Sequence, residues 1–203
     1  MDPKLVREIN RLWLPVYPGI AKQVAESLDK APLRILEVGA FSGGIGLALL
    51  RMFPASSITI ALEIGELVRS FRPDWAEMLG DAGEEKVRIV STPLVPLDIP
   101  DGSHDLVICR GVFFFLDPSG RLISEIDRVL SSGGTAFLGG GFGSHTPTAL
   151  IQEIADRSRK LNMALGKRVV TREEFEAALS NAGLSGRVRI IEEGGLWGLI
   201  RGR

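Results

Sequence analysis

The chain contains one cysteine, Cys109, among 203 residues. It can form no internal disulfide, and a lone thiol suits a reducing compartment. There are only two histidines, His104 and His145, and no Cys/His cluster has zinc spacing, so no metal site is expected. Aromatic residues are sparse at 6%, with a single tyrosine, Tyr17. Neither sign of charge dominates: 24 Lys and Arg face 25 Asp and Glu, for a net charge of −1. That balance lacks the positive field with which nucleic-acid binders neutralise phosphates, and excludes a strongly electrostatic mode of that kind. No uncharged apolar run approaches the roughly 18 residues of a membrane span. The start, MDPKLVREIN, is polar and charged, unlike a secretory signal. Repeats and low-complexity tracts are missing as well. The expectation is a cytoplasmic protein with no membrane partner. Its oligomeric state is left open.

What is present is an ordinary globular composition, 45% apolar, at a length that fits one domain over residues 1–203. Strand-like and helix-like segments alternate. Arg34 to Ala40 (RILEVGA) reads as a strand, followed by a helix over Gly43 to Phe53 that stops at Pro54. Ser57 to Glu63 is a second strand, and Gly65 to Leu79 a helix interrupted near Pro73. Val87 to Thr92 and Asp105 to Arg110 are the third and fourth strands. Pro118 to Leu130 carries Leu122, Ile123, Ile126, Val129 and Leu130 on one helical face. Gly134 to Gly140 is the fifth strand. Such alternation predicts a parallel sheet covered on both faces.

The ends differ. Residues 4–29 read as helix broken around Pro15 and Pro18, within a helical cap segment over 1–30. Thr146 to Leu165 and Thr171 to Ala182 are helices, the second opening with the capping-box pattern Thr-Arg-Glu-Glu and ending at Gly183. Arg187 to Glu192 and Leu196 to Ile200 are strands separated only by Glu193, Gly194 and Gly195. So short a link permits a hairpin and forbids a parallel crossover. The predicted fold is an α/β Rossmann-like three-layer sandwich: five parallel strands plus a C-terminal antiparallel pair, seven strands in all, with N-terminal capping helices.

One stretch carries a chemical signal: Ile35-Leu36-Glu37-Val38-Gly39-Ala40-Phe41-Ser42-Gly43-Gly44. A buried strand runs through a glycine-containing turn into a helix. Gly39 lets backbone approach a ligand, and the helix start points N–H groups at it. In open α/β sheets ligands bind in that crevice, at the carboxyl ends of the strands. Glu63, at the end of the second strand, adds a carboxylate able to accept hydrogen bonds from both hydroxyls of an adenosine ribose. The pair argues for an adenosine-containing cofactor. The glycines at 39, 43, 44 and 46 match the nicotinamide fingerprint G-x-G-x-x-G poorly.

ILEVGAFSGG resembles the first motif of class I S-adenosylmethionine-dependent methyltransferases, written E-x-G-x-G-x-G. Glu37, Gly39 and Gly43 match, and Phe41 departs from the middle glycine. Ile99 to Val107 resembles the family's approach to strand four, and Glu125 to Gly134 its helix and turn before strand five. The resemblance spans about residues 12 to 200. It implies S-adenosyl-L-methionine as cofactor, with Gly39, Ala40, Phe41, Ser42 and Gly43 along its methionine part. Glu37 would fix the loop and the amino group, Glu63 hold the ribose, and Ile64 pack on adenine. The backbone of Arg110 would face the amine. The family commonly places Asp after strand three. Pro93 stands there and cannot accept a hydrogen bond, which leaves the Leu94 N–H to reach the ring.

Methyl transfer from a sulfonium needs orientation, and a base only if the acceptor must lose a proton. His145, beyond strand five, and Tyr17, in the broken segment LWLPVYPGIA, are the candidate catalytic side chains. His104, at the amino end of strand four, reads as structural. Of Phe113, Phe114 and Phe115, at least one belongs to the core, and Phe114 and Phe115 are the candidate substrate contacts. No motif for metal-assisted catechol methylation and no Asn/Asp-Pro-Pro-Tyr motif occurs. The leading function is methyl transfer to an unidentified small molecule. The alternatives are a protein that binds S-adenosylmethionine or S-adenosylhomocysteine without transferase activity, and an NAD(P)-dependent reductase.

Overall fold

The computed structural model describes residues 2–39, 43–63, 84–111 and 113–203. Seven strands form one sheet: β1 (Arg34–Val38), β2 (Ser57–Leu62), β3 (Val87–Ser91), β4 (His104–Cys109), β5 (Leu130–Gly141), β6 (Val188–Ile191) and β7 (Gly195–Arg201). Their spatial order is β3-β2-β1-β4-β5-β7-β6. The first five pair in parallel, and β7 runs antiparallel to both β5 and β6. The Rossmann-like fold with its closing hairpin is therefore as the alternation required. Chain order reverses between β1 and β4, which places the ligand crevice above these two strands.

The six helices among the described residues are α1 (Pro3–Trp13), α2 (Tyr17–Glu26), α3 (Gly44–Met52), α4 (Arg121–Val129), α5 (Thr148–Ala164) and α6 (Arg172–Asn181). Strand side chains point alternately to opposite faces, so each strand feeds two cores. Ile35, Leu106, Ile108, Phe137 and Trp197 join α1, α2, α3 and α5 in one core. Leu36, Val38, Val107, Cys109, Ala136 and Leu138 meet α4 and α6 in the other. The apolar stripe read on residues 122–130 is the face α4 buries.

Several boundaries differ from expectation. The N-terminal break falls at residues 14–16 only. Pro18 instead lies in the first turn of α2, where its missing N–H costs nothing. β5 begins at Leu130, directly after α4, because Leu130 pairs with His104 before the ladder shifts register at Leu106. Thr171 caps α6 as predicted: it accepts from the Glu174 N–H while the Glu174 side chain accepts from Thr171 N–H. The helix expected over 65–79 lies outside the described residues.

The N-terminal helices are tied to the rest at their crevice side. Trp13 Nε1 donates to Ser158 Oγ at 2.9 Å. Gln23 bridges two loops: its Nε2 donates to the Glu193 carbonyl at 2.9 Å, and its Oε1 accepts from Ser144 N–H at 3.1 Å. Below β3, Arg128 donates to the carbonyls of Leu97 and Ile99, both at 2.9 Å, and pairs with Glu125 at 2.7 Å. Glu125 in turn accepts the Leu97 N–H at 2.7 Å. This network fastens the segment after β3 to α4.

Candidate active site

The turn between β1 and α3 forms the first wall. Gly39 and Gly43 have φ of 129° and 110°, a region that side chains with Cβ rarely enter. Glu37 lies on the β1 face turned to α3 and is 3% exposed. Its Oε2 accepts the Gly46 N–H at 2.6 Å. Burial pushes its pKa up to about 7, opposed by backbone N–H donors of Gly46, Gly43 and Ile45 and by the charge of Arg110. The carboxyl thus serves the helix start, which favours negative charge.

Two glycines make this approach possible by lacking a side chain. A Cβ on Gly46 would lie 2.9 Å from Glu37 Oε2 and 2.1 Å from Ile58 Cδ1. A Cβ on Gly44 would lie 2.1 Å from Tyr17 Cδ2. The Tyr17 ring therefore rests on the backbone at the helix start, and its hydroxyl donates to Asn10 Oδ1 at 2.7 Å.

Arg110 follows β4 and is 5% exposed. Its guanidinium carbon sits 3.8 Å from the centre of the Trp13 ring, a cation–π contact. Burial lowers its pKa, with Tyr17 and Glu37 opposing. Arg110 Nε is buried and has no hydrogen-bond partner among the described residues. A buried cation with one idle donor, near a buried carboxyl, is suited to a ligand that carries both charges. The donor set therefore fits the amino-acid part of S-adenosylmethionine.

Other predicted cofactor contacts also sit at the carboxyl edge. Glu63 follows β2 directly and is exposed. Pro93 is exposed two residues beyond β3, and Leu94 packs partly into the second core. Ala40, Phe41, Ser42 and Ile64 lie outside the described residues.

Beside this wall, at the ends of β4 and β5, opens a cavity of about 390 Å³. Trp13, Phe114, Phe142, Met163, Lys167 and Leu196 are among its lining. Trp13 stacks on Phe142 with ring centres 4.7 Å apart. Phe114 meets Phe113 edge-on at 5.8 Å. Lys167 Nζ lies 5.0 Å from the centre of the Phe114 ring. Burial pushes the Lys167 pKa down to about 6, helped by the charge of Arg110.

The predicted residues distribute unevenly around this site. Phe113 and Phe114 both line the cavity, Phe113 from within the core, 2% exposed and edge-on to Phe175 at 4.9 Å. Nothing is described of the Phe115 side chain beyond its backbone turn. His145 Nε2 lies 2.6 Å from Glu26 Oε2, which ties the loop after β5 to α2. His104 is buried at the start of β4, within 3.3 Å of Thr59 Oγ1, and burial lowers its pKa to about 4. Trp13, Lys167 and the Gly44–Gly46 approach escaped the sequence reading. Trp13 lies in the segment from which Tyr17 was singled out. For Lys167 no local pattern exists, since its neighbours in space are distant in sequence.

No group of three or more His, Cys, Asp or Glu able to hold a metal is found among the described residues. Nor is any described helix long and apolar enough to cross a membrane.

Residues 36–138 match the family described as "Methyltransferase domain". A malonyl-[acyl-carrier protein] O-methyltransferase of Geobacter sulfurreducens is 29% identical over 189 residues, covering 87% of this chain and 67% of that protein. A protein of the same description from Methylococcus capsulatus is 31% identical over 132 residues, covering 58% of this chain. The chain spans about two thirds of the length of the first relative (67%) and under half of the second (44%). Among solved structures, an S-adenosyl-L-methionine-dependent methyltransferase of Methanococcus maripaludis superposes with a TM-score of 0.82 at 23% identity, over 99% of this chain and 93% of that one. That likeness concerns the fold.

Proposed function

The chain belongs to the methyltransferase-domain family and is an S-adenosylmethionine-dependent methyltransferase; from that premise we propose that it methylates a small acceptor seated in the cavity between Trp13, Phe114 and Lys167. One observation carries the reading: an apolar cavity opens at the ends of β4 and β5, beside the buried side chains of Glu37 and Arg110. S-adenosylmethionine supplies an electrophilic methyl on a sulfonium. Everything else is position and exclusion of water.

The residues divide the work. Glu37 and the turn from Gly39 through Gly43 hold the amino-acid end, with Ala40, Phe41 and Ser42 along it. Arg110 offers its idle Nε to the carboxylate. Glu63 accepts from the ribose hydroxyls. Ile64 and Leu94 flank the adenine, with Pro93 where a carboxylate is usual. Phe114 forms the acceptor side, with Phe115 next to it in chain. Tyr17 and His145 act here by position. Tyr17 braces the helix start, and His145 fastens the loop after β5 to α2 through Glu26. A second reading, that the acceptor arrives on an acyl carrier, is favoured by the descriptions of the two curated relatives.

The test is a thermal-shift titration followed by calorimetry. S-adenosylhomocysteine should raise the melting temperature by mass action, and NAD and NADP should not. Stabilisation by NAD alone would sink the cofactor assignment. An acceptor-sized apolar ligand whose binding survives Phe114→Asp would sink the cavity assignment.

A further inference from the structure

The neutral polar side chains of the cavity gather at one spot. Its described lining is apolar or glycine, apart from three basic residues and a group of three that hydrogen-bond to one another: Trp13 on α1, and Ser158 and Asn162 one turn apart on α5. Trp13 Nε1 donates to Ser158 Oγ at 2.9 Å, and Asn162 Nδ2 donates to the same oxygen at 3.2 Å. Two donors occupy both lone pairs of that hydroxyl. Asn162 Oδ1 is left buried, with no hydrogen-bond partner among the described residues. The backbone of Asn162 is held too, since its carbonyl accepts the Lys167 N–H at 3.0 Å where α5 ends. A buried carbonyl oxygen without a donor is costly, and a ligand that brings a donor recovers the cost.

We infer that the methyl acceptor is a neutral, apolar molecule bearing a hydroxyl group, and that Asn162 selects it by accepting that hydroxyl's hydrogen bond. The inference rests on the reading of this cavity as the acceptor site. The apolar body fills the space between Trp13, Phe114, Phe142 and Met163, where it is drawn out of water. The hydroxyl donates to Asn162 Oδ1 and so orients that body. An analogue of the same shape without the O–H gains the first contribution and leaves the oxygen unpaired.

The charges of the lining bear on both partners of this bond. Arg159, Lys167 and Arg168 belong to the described lining, and no acidic residue does. A reversed amide would leave an NH2 idle where Oδ1 stands, and positive surroundings favour the oxygen there. The same surroundings repel an ammonium, which could also donate. A neutral hydroxyl supplies the donor without the like charge.

The experiment uses the full chain saturated with S-adenosylhomocysteine. Two isomers, para-ethylphenol and para-methylanisole, are titrated by calorimetry at neutral pH; they contain the same atoms, but only the phenol has an O–H to give. The phenol should bind about tenfold more tightly, as one buried hydrogen bond allows. Asn162→Leu removes the oxygen at nearly constant volume and should bring the two to equal affinity, with S-adenosylhomocysteine binding unchanged. Asn162→Asp retains an oxygen acceptor and should retain the preference, which a merely structural role for the amide would not produce. Should Asn162→Leu fail to fold, the ratios in the wild type and in Asn162→Asp decide. A preference undiminished in Asn162→Leu, or lost in Asn162→Asp, would overturn the inference. Equal wild-type affinities that Phe114→Asp abolishes together would overturn it while leaving the cavity assignment standing. Failure of both compounds to bind would overturn the cavity assignment, and the inference with it.

Discussion

The two halves of the crevice are built on different plans. The cofactor half is backbone and short-range: Glu37 reaches Gly46, nine positions on, and the turn between them supplies the other donors. The acceptor half is side chain and long-range: residues 13, 113–114, 140–142 and 155–170 meet only after the sheet has formed. The first plan suits a ligand with fixed chemistry, because backbone N–H groups and a tight turn admit little variation. The second suits a variable one, since most of its wall is made of side chains and not of backbone groups. Trp13 stands between them, touching Arg110 on one side and lining the cavity on the other.

Trp13→Ala is therefore the variant expected to do most damage. It removes the stack on Phe142, the bond to Ser158 and the cover over Arg110 together. Truncating a buried tryptophan costs about 3–5 kcal/mol. Denaturant unfolding should show that loss, and both S-adenosylhomocysteine and acceptor analogues should bind more weakly. If only one ligand suffers, the halves are more independent than the shared wall implies.

Glu37 gives a test confined to the cofactor half. Its folded pKa of about 7 lies above the unfolded value of 4.5. A raised acid contributes stability that is complete below the unfolded pKa and lost as pH rises through the folded one. The ligand-free protein should thus lose on the order of 3 kcal/mol between pH 4.5 and 7 from this group. Glu37→Gln keeps an acceptor for Gly46 but cannot ionise, and should flatten that part of the stability profile. An unchanged profile would mean that the carboxyl is more solvated than its burial indicates.

Glu63 and Pro93 sharpen the same half with smaller effects. Glu63→Ala should weaken S-adenosylhomocysteine binding by about 1.5–3 kcal/mol, the range for hydrogen bonds to a charged group. Calorimetry on both variants decides it. Pro93→Asp should tighten binding by about 1 kcal/mol if the new carboxylate meets the adenine amino group. An analogue lacking that amino group should then gain nothing. Equal gains for both ligands would show that residue 93 does not stand beside the base.

Much of this was legible because it is local. The alternation of strands and helices, the reversed C-terminal hairpin forced by a three-residue link, the capping box at Thr171 and the glycine turn all depend on neighbours in sequence. Glu37, Gly39 and Gly43 could be singled out for that reason. Pro18 misled because proline breaks a helix interior but is welcome in a first turn, and only packing decides which position it occupies. β5 proved longer than its apolar run because Leu130 finds a partner in His104, a pairing no local pattern encodes.

By itself, then, the sequence determined the sheet, its crevice and the kind of cofactor, since short-range stereochemistry and hydrophobic periodicity specify these. Tertiary structure alone decided that Arg110 is buried under Trp13, that Gly44 and Gly46 are spaces for Tyr17 and Glu37, and that Lys167 lies over Phe114 in an apolar cavity. The reason is physical. A pKa, a cation–π contact and a cavity are properties of surroundings, and those surroundings come from residues scattered between positions 13 and 170.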